Sequence, residues 1–244
     1  MAAKEDGRIR VLFAHGLESG KLGAKAQYMR EHFEMEVPDM AMSAYNPFKA
    51  NSPSRAVVAL GLGVTGCAIF APTNVFVGCS LLSVGAVVPL TRWRMRQALN
   101  RCAEIHREAL STFKPDVLVG SSWGGAVALK CLEQGYWSGP TVLLAPACGA
   151  SGWWQTLWPG WSPRLPLEAA RQCIVVHGTL DTTVPVECSR ALAANNELAH
   201  YIEEPSGDHR LNSALLEESP EFPQGKLMAV IHKASRLADN AVTQ

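Results

Sequence analysis

Three side chains that could do chemistry together are a serine, an aspartate and a histidine spread from the midpoint of this 244-residue chain onward. Ser122 lies within Asp116-Val117-Leu118-Val119-Gly120-Ser121-Ser122-Trp123-Gly124-Gly125-Ala126. An apolar β-branched run stops at Gly120, and a small-residue, Ala-rich helical pattern starts after Ser122. Gly120-x-Ser122-x-Gly124 therefore falls where a strand would turn into a helix, which is the context of a nucleophile elbow. Such a turn strains the serine backbone and leaves room only for tiny neighbours. Gly120 and Gly124 supply them, and Gly125 lets the helix approach the sheet. Ser122 Oγ would then project beyond the strand's carboxyl end, at a helix N-terminus that favours negative charge. The plainer alternative is a tight strand–helix turn with a capping serine.

A serine hydroxyl is a poor nucleophile until a base takes its proton and a third group orients that base. Asp181 and His209 follow Ser122 in the chain. Asp181 comes shortly after an apolar run, in a turn that ends at Val184-Pro185; a turn or cap aspartate is the alternative. His209 ends a Gly207-Asp208-His209 loop, where an imidazole can act as base and then as acid near neutral pH; an exposed loop histidine is the alternative. Asp116 precedes its strand and belongs to the opposite edge. Asp208 is too close to His209 in sequence to hold its ring well. His232 falls within a helical pattern, His177 ends a strand and is expected to hydrogen-bond in the sheet, and His106 and His200 carry no local signal. An oxyanion needs two donors aimed at the developing charge. The N–H of Trp123, next after the serine, and the N–H of Leu17, in the loop His15-Gly16-Leu17-Glu18-Ser19-Gly20, are the expected pair. His15 reads as an organiser of that loop, and Ser121 should point inward.

The elements that must position these groups alternate. Strands are expected at 8–14, 35–40, 117–120, 141–146, 173–177 and 200–203, and helices at 25–33, 92–113, after Ser122, at 187–195 and at 222–237. Strands alternating with helices imply a parallel sheet flanked by helices, with its sites beyond the carboxyl ends of the strands. Each of the three chemical residues follows a strand. Between 149 and 166 lies a proline-broken loop with Trp153, Trp154, Trp158 and Trp161. It reads as a lid whose Trp153, Trp154 and Trp158 line an apolar pocket, sit at a membrane surface, or pack over the sheet edge.

From Ala56 to Thr91 there is no Asp, Glu, Lys or Arg. The stretch divides at Pro72-Thr73-Asn74 into halves of about 16 residues, each reaching about 24 Å as a helix, against a hydrocarbon thickness of roughly 30 Å. Lys49 and Arg55 precede it, and Arg92, Arg94 and Arg96 follow. Cationic flanks on both sides fit an apolar helical hairpin, inserted at 51–91, whose ends face the cytoplasm. Gly61, Gly63, Gly66, Gly78 and Gly85 would let its helices pack closely. The hairpin either enters a membrane or caps the domain.

Composition narrows the classes further. Lys+Arg and Asp+Glu balance at 22 each, so there is no electrostatic case for nucleic acid. Seven cysteines without a C-x-x-C pair give no zinc or disulfide framework and suggest a reducing compartment. Met1–Arg10 lacks the apolar stretch of a secretory signal. One domain over 1–244 is expected.

His15-Gly16-Leu17, Gly120-Ser121-Ser122-Trp123-Gly124-Gly125, His177-Gly178-Thr179-Leu180-Asp181-Thr182-Thr183-Val184-Pro185 and Gly207-Asp208-His209 together resemble the motifs of the α/β-hydrolase superfamily, in its chain order Ser…Asp…His. The first portion, with Lys25-Ala26 and Val37-Pro38-Asp39-Met40, is similar to small bacterial esterases of that superfamily. The resemblance covers most of 8–237 apart from 51–91. It implies a serine hydrolase with Ser122, Asp181 and His209 as triad, Leu17 and Trp123 as oxyanion donors, and no metal or organic cofactor. Two features depart from the pattern: the first strand here corresponds to the family's third, and the apolar hairpin is additional. Such a hydrolase would act through an acyl-enzyme on a small-molecule ester or thioester; the Trp-rich loop suggests that the acyl group is apolar, and the hairpin, if it inserts, adds membrane association through 56–90. A hydrolase-fold scaffold tethered to a membrane, without turnover, is the competing expectation.

Overall fold

The structure, a computed structural model, describes residues 8–17, 19–40, 73–152, 154–158 and 160–241. In chain order its elements are β1 Arg10–Ala14, α1 Ala24–His32, β2 Glu34–Glu36, α2 Thr73–Phe113, β3 Val117–Ser121, α3 Trp123–Glu133, β4 Thr141–Leu144, α4 Trp154–Leu157, α5 Leu167–Arg171, β5 Cys173–Gly178, α6 Val186–Asn195, β6 His200–Glu204, α7 Asn212–Leu216 and α8 Lys226–Ala241. The strands form one six-stranded sheet in the order β2-β1-β3-β4-β5-β6. Every pairing is parallel.

Burial on both faces explains why the central strands read as unbroken apolar runs. Successive residues of β1 feed opposite sides. Leu12 joins Leu118, Leu143 and Val175 against Leu99 and Cys102 of α2, Leu129 of α3 and Leu192 of α6. Val11 and Phe13 join Val119, Val142 and Ile174 against Met29 of α1 and Leu227 and Ile231 of α8. The strand order reverses between β1 and β3. In an open parallel sheet such a switch leaves a crevice beyond the carboxyl ends, and the loops leaving it carry Leu17 and Ser122.

Where the elements differ from expectation, local chemistry gives the reason. β2 comes earlier, at Glu34–Glu36, because Glu34 N–H reaches Ile9 O at 3.1 Å and Pro38 has no N–H for a ladder. α8 begins only at Lys226, after a turn in which Ser219 and Phe222 exchange backbone hydrogen bonds. The expected boundary before Arg92 is absent. α2 runs unbroken for 41 residues with Pro89 inside it, so the second apolar half and the amphipathic segment are one helix. Pro89 removes a single backbone bond, and the packing of Ala98, Leu99, Cys102, Ala103 and Leu110 on the sheet holds the rest. The first half of the expected hairpin, and the turn at Pro72, lie outside the described residues. Among the described residues no helix is long and apolar enough to cross a membrane.

Candidate active site

Ser122 joins β3 to α3 with φ 54° and ψ −117°, in the left-handed half of conformational space that a side chain rarely adopts. The surroundings hold it there. Its N–H donates to Leu144 O at 2.9 Å, and its carbonyl accepts from Ala147 N–H at 2.9 Å and Ala126 N–H at 3.2 Å. Gly124 is obligatory: a Cβ there would stand 1.9 Å from Ala14 O, because α3 starts against the end of β1. The loop after β1 reaches the same point, since a Cβ on Gly16 would be 3.3 Å from Ser122 Cβ. Ser19 Oγ pins that loop by accepting Gly16 N–H at 3.0 Å, and His15 Nδ1 bonds Gly16 O at 2.8 Å. Leu17 stands partly exposed just beyond it. Trp123 opens α3, where first-turn N–H groups have no partner within the helix. Ser121, the last residue of β3, is buried.

Ser122 Oγ lies 2.9 Å from His209 Nε2, and His209 Nδ1 lies 2.7 Å from Asp181 Oδ2. Nδ1 faces a carboxylate oxygen and so carries the proton. Nε2 then offers its lone pair to the Ser122 hydroxyl. That arrangement can draw the hydroxyl proton onto the ring while the carboxylate stabilises the resulting imidazolium. The His209 side chain keeps about a fifth of its surface exposed at 22%, whereas the Asp181 side chain has none.

Asp181 is held from every side. Its Oδ1 accepts the N–H groups of Thr183 and Val184, each at 2.8 Å. Its Oδ2 accepts His209 and also Nε2 of His177 at 3.1 Å. Burial by itself would raise the carboxyl pKa. The hydrogen bonds from His177, His209 and the Val184 backbone outweigh it and hold the carboxyl well below the usual range.

The loop bearing His209 is anchored at several points. Leu180 N–H donates to Gly207 O at 2.9 Å, and a Cβ on Gly178 would lie 2.1 Å from that carbonyl. Asp208 Oδ1 accepts Leu211 N–H at 2.7 Å. Lys25 on α1 donates to Arg210 O and, at 3.4 Å, to Asn212 Oδ1. Burial pushes the Lys25 amine down to about 8, against an opposing pull from Asp208. The sequence offers no cue to this contact, because the partner of Lys25 is 185 positions away.

The rival residues are occupied elsewhere. Asp116 Oδ2 takes Arg10 N–H at 2.9 Å, at the amino ends of the strands. His106 is fully buried, bonds Cys102 O through Nδ1 at 2.8 Å, and is pushed down to about 4 by burial. His232 packs at a tilt against Phe33, with ring centroids 5.8 Å apart. His177 does not bond within the sheet through its side chain, as the sequence had suggested. It turns to the loop of Asp181 and to α6.

Of the three tryptophans expected to line a pocket, Trp158 is 8% exposed and sits in the core beside Trp123, ring centroids 5.4 Å apart. Its Nε1–H donates to Ala147 O at 2.6 Å. Trp161 N–H donates to Cys148 O at 2.6 Å. Trp158 and Trp161 are thus tied to Ala147 and Cys148, and Ala147 N–H in turn donates to Ser122 O. Trp154 opens α4, and Trp153 lies outside the described residues. Among the described residues no group of three or more His, Cys, Asp or Glu is gathered to hold a metal ion.

No protein-family model matches the sequence, and no curated protein sequence matches it. Solved structures do. The ydeN gene product of B. subtilis is 13% identical and superposes with a TM-score of 0.54 over 93% of this chain and 98% of that one. A protein described as a ydeN-like hydrolase, from Pectobacterium atrosepticum, is 12% identical, with a TM-score of 0.50 over 95% of this chain and 91% of that one. One described as a hydrolase of the α/β superfamily, from Xanthomonas campestris, is 19% identical, with a TM-score of 0.48 over 97% of this chain and 99% of that one. The sheet order and the Ser122 turn are those of an α/β-hydrolase fold, and the first two likenesses show a fold shared over nearly the whole chain.

Proposed function

We propose that the protein is a serine hydrolase that cleaves a carboxylic ester or thioester of an apolar acyl group through an acyl-enzyme. The observation that carries this reading is the unbroken path from Ser122 Oγ through the ring of His209 to Asp181, at 2.9 and 2.7 Å. In the first half-reaction Ser122 Oγ attacks the acyl carbonyl as His209 Nε2 takes its proton. The N–H groups of Trp123 and Leu17 receive the oxyanion. The tetrahedral adduct collapses as His209 returns the proton to the leaving alcohol or thiol. Water then repeats the sequence on the acyl-Ser122 ester, and Asp181 stabilises the imidazolium each time. Support for an apolar acyl group comes from Trp161, partly buried in the segment tied to Ala147 and Cys148 beside the Ser122 turn.

A fluorophosphonate probe tests the nucleophile. Wild type should be labelled and Ser122→Ala should not; equal labelling of both would overturn the assignment. Turnover of p-nitrophenyl esters from acetate to octanoate tests the acyl preference. Rates that do not rise beyond acetate would refute an apolar acyl substrate.

A further inference from the structure

His177 lies one residue before the end of β5 and is fully buried. Its ring nitrogens have settled roles. Nε2 is 3.1 Å from Asp181 Oδ2 and 3.1 Å from Val184 O, both acceptors, so the proton sits on Nε2. Nδ1 is 2.7 Å from Ser189 Oγ on α6. With the proton on Nε2, Nδ1 accepts from the Ser189 hydroxyl. The outcome is a continuous chain, Ser189–His177–Asp181–His209–Ser122, with both imidazoles donating to the same oxygen, Asp181 Oδ2.

The two donors differ in what carries them. His209 sits on a loop and is partly exposed, whereas His177 is on a central strand that pairs with β4 and β6. Four N–H groups then fill the roughly four lone-pair sites of the Asp181 carboxylate, those of Thr183, Val184, His177 and His209. A protonated carboxyl would turn its hydrogen toward one of these donors. We infer that His177 is the positioning residue of the site: it ties the loop carboxylate to the sheet, keeps it ionised and aims Oδ2 at His209 Nδ1.

This inference rests on the serine-hydrolase reading. The titratable groups around His177 are Asp181, which its ring contacts, His209, which shares Asp181 Oδ2, Glu203, its register partner on β6, and Cys188 on α6, next to Ser189. Asp181 accepts directly, and Ser189 blocks the other nitrogen. Losing the Nε2 donor would concentrate negative charge on Oδ2 and favour the imidazolium at His209. The acid limb of the rate profile would then move to higher pH.

The test uses the full chain with p-nitrophenyl acetate, and compares His177→Phe, His177→Gln, Ser189→Ala and Ser122→Ala. His177→Phe keeps most of the ring volume and removes the donor. Its kcat should fall roughly 10- to 100-fold, the range of a lost hydrogen bond to a charged group, with KM little changed and the acid limb raised. Gln can place an amide N–H near the Nε2 position, so His177→Gln should recover part of the rate and return the acid limb toward wild type. Ser189→Ala should shift both in the direction of His177→Phe, by less. If His177→Phe does not fold, the Gln and Ser189→Ala profiles decide. Unchanged kcat and pH profile in every folded variant, with Ser122→Ala inactive, would overturn the role of His177 and leave the hydrolase reading standing. Full turnover by Ser122→Ala would overturn both.

Discussion

Asp181 Oδ2 and His209 Nδ1 stand 2.7 Å apart across 28 positions of sequence. The contact joins the loop after β5 to the loop after β6. It exists because those strands are parallel neighbours and their carboxyl ends emerge side by side.

Asp181→Asn should abolish most activity while leaving the fold in place. The amide cannot satisfy its surroundings in either orientation. With nitrogen at the Oδ2 position it faces the His177 and His209 donors; with nitrogen at Oδ1 it faces the Thr183 and Val184 N–H groups. In the first orientation the clash with His209 is relieved when that ring moves its proton to Nε2, the wrong tautomer for a base, while the His177 donor still faces the amide nitrogen. A fall in kcat of about 10⁴-fold is expected, by analogy with serine proteases. Steady-state kinetics on p-nitrophenyl acetate would measure it.

Asp181 also makes stability depend on pH in a definite direction. Its carboxyl titrates lower in the folded chain than in the unfolded one. The stabilisation is therefore complete above the unfolded carboxylate range, near pH 4. It is lost as pH falls further, because the unfolded chain then binds the extra proton. Melting temperatures from pH 6 to 2 should fall more steeply for wild type than for Asp181→Asn. Parallel curves would contradict the assignment of this carboxylate as a main contributor.

Gly178→Ala should act on the rate through the His209 loop. The new methyl would be 2.1 Å from Gly207 O, a backbone atom that cannot swing aside. Moving Gly207 shifts His209, two positions on. Stability should drop by about 1–3 kcal/mol, the usual range for overpacking, and kcat should fall at least tenfold because positioning errors near 1 Å are that damaging. Urea denaturation and kinetics on the same preparation would separate the two effects.

Trp158→Ala should destabilise the chain by about 3–5 kcal/mol, as expected for a large aromatic lost from a core. Trp158→Phe should retain most of the stacking on Trp123 and lose only the bond to Ala147 O. Its cost should be nearer 1 kcal/mol. Equal losses from the two variants would mean that the indole N–H, not the ring area, holds the segment in place.

The chain itself determined which groups could react and that each follows a strand. Those signals are local: glycines around Ser122, the turn from Asp181 to Pro185, the loop ending at His209. Apolar runs buried on both faces are equally local, which is why the sheet and most of its helices were legible. The tertiary structure decided the rest. It made α2 continuous through Pro89, because packing of its later turns outweighs one missing backbone bond. It placed Trp158 in the core and brought Lys25 to Arg210 across 185 positions. It also aimed His177 at a carboxylate where the pattern suggested only a strand end. Hydrogen bonds act over about 3 Å and in fixed directions. No pattern along the chain specifies which distant loops come that close; the register and twist of the packed sheet do.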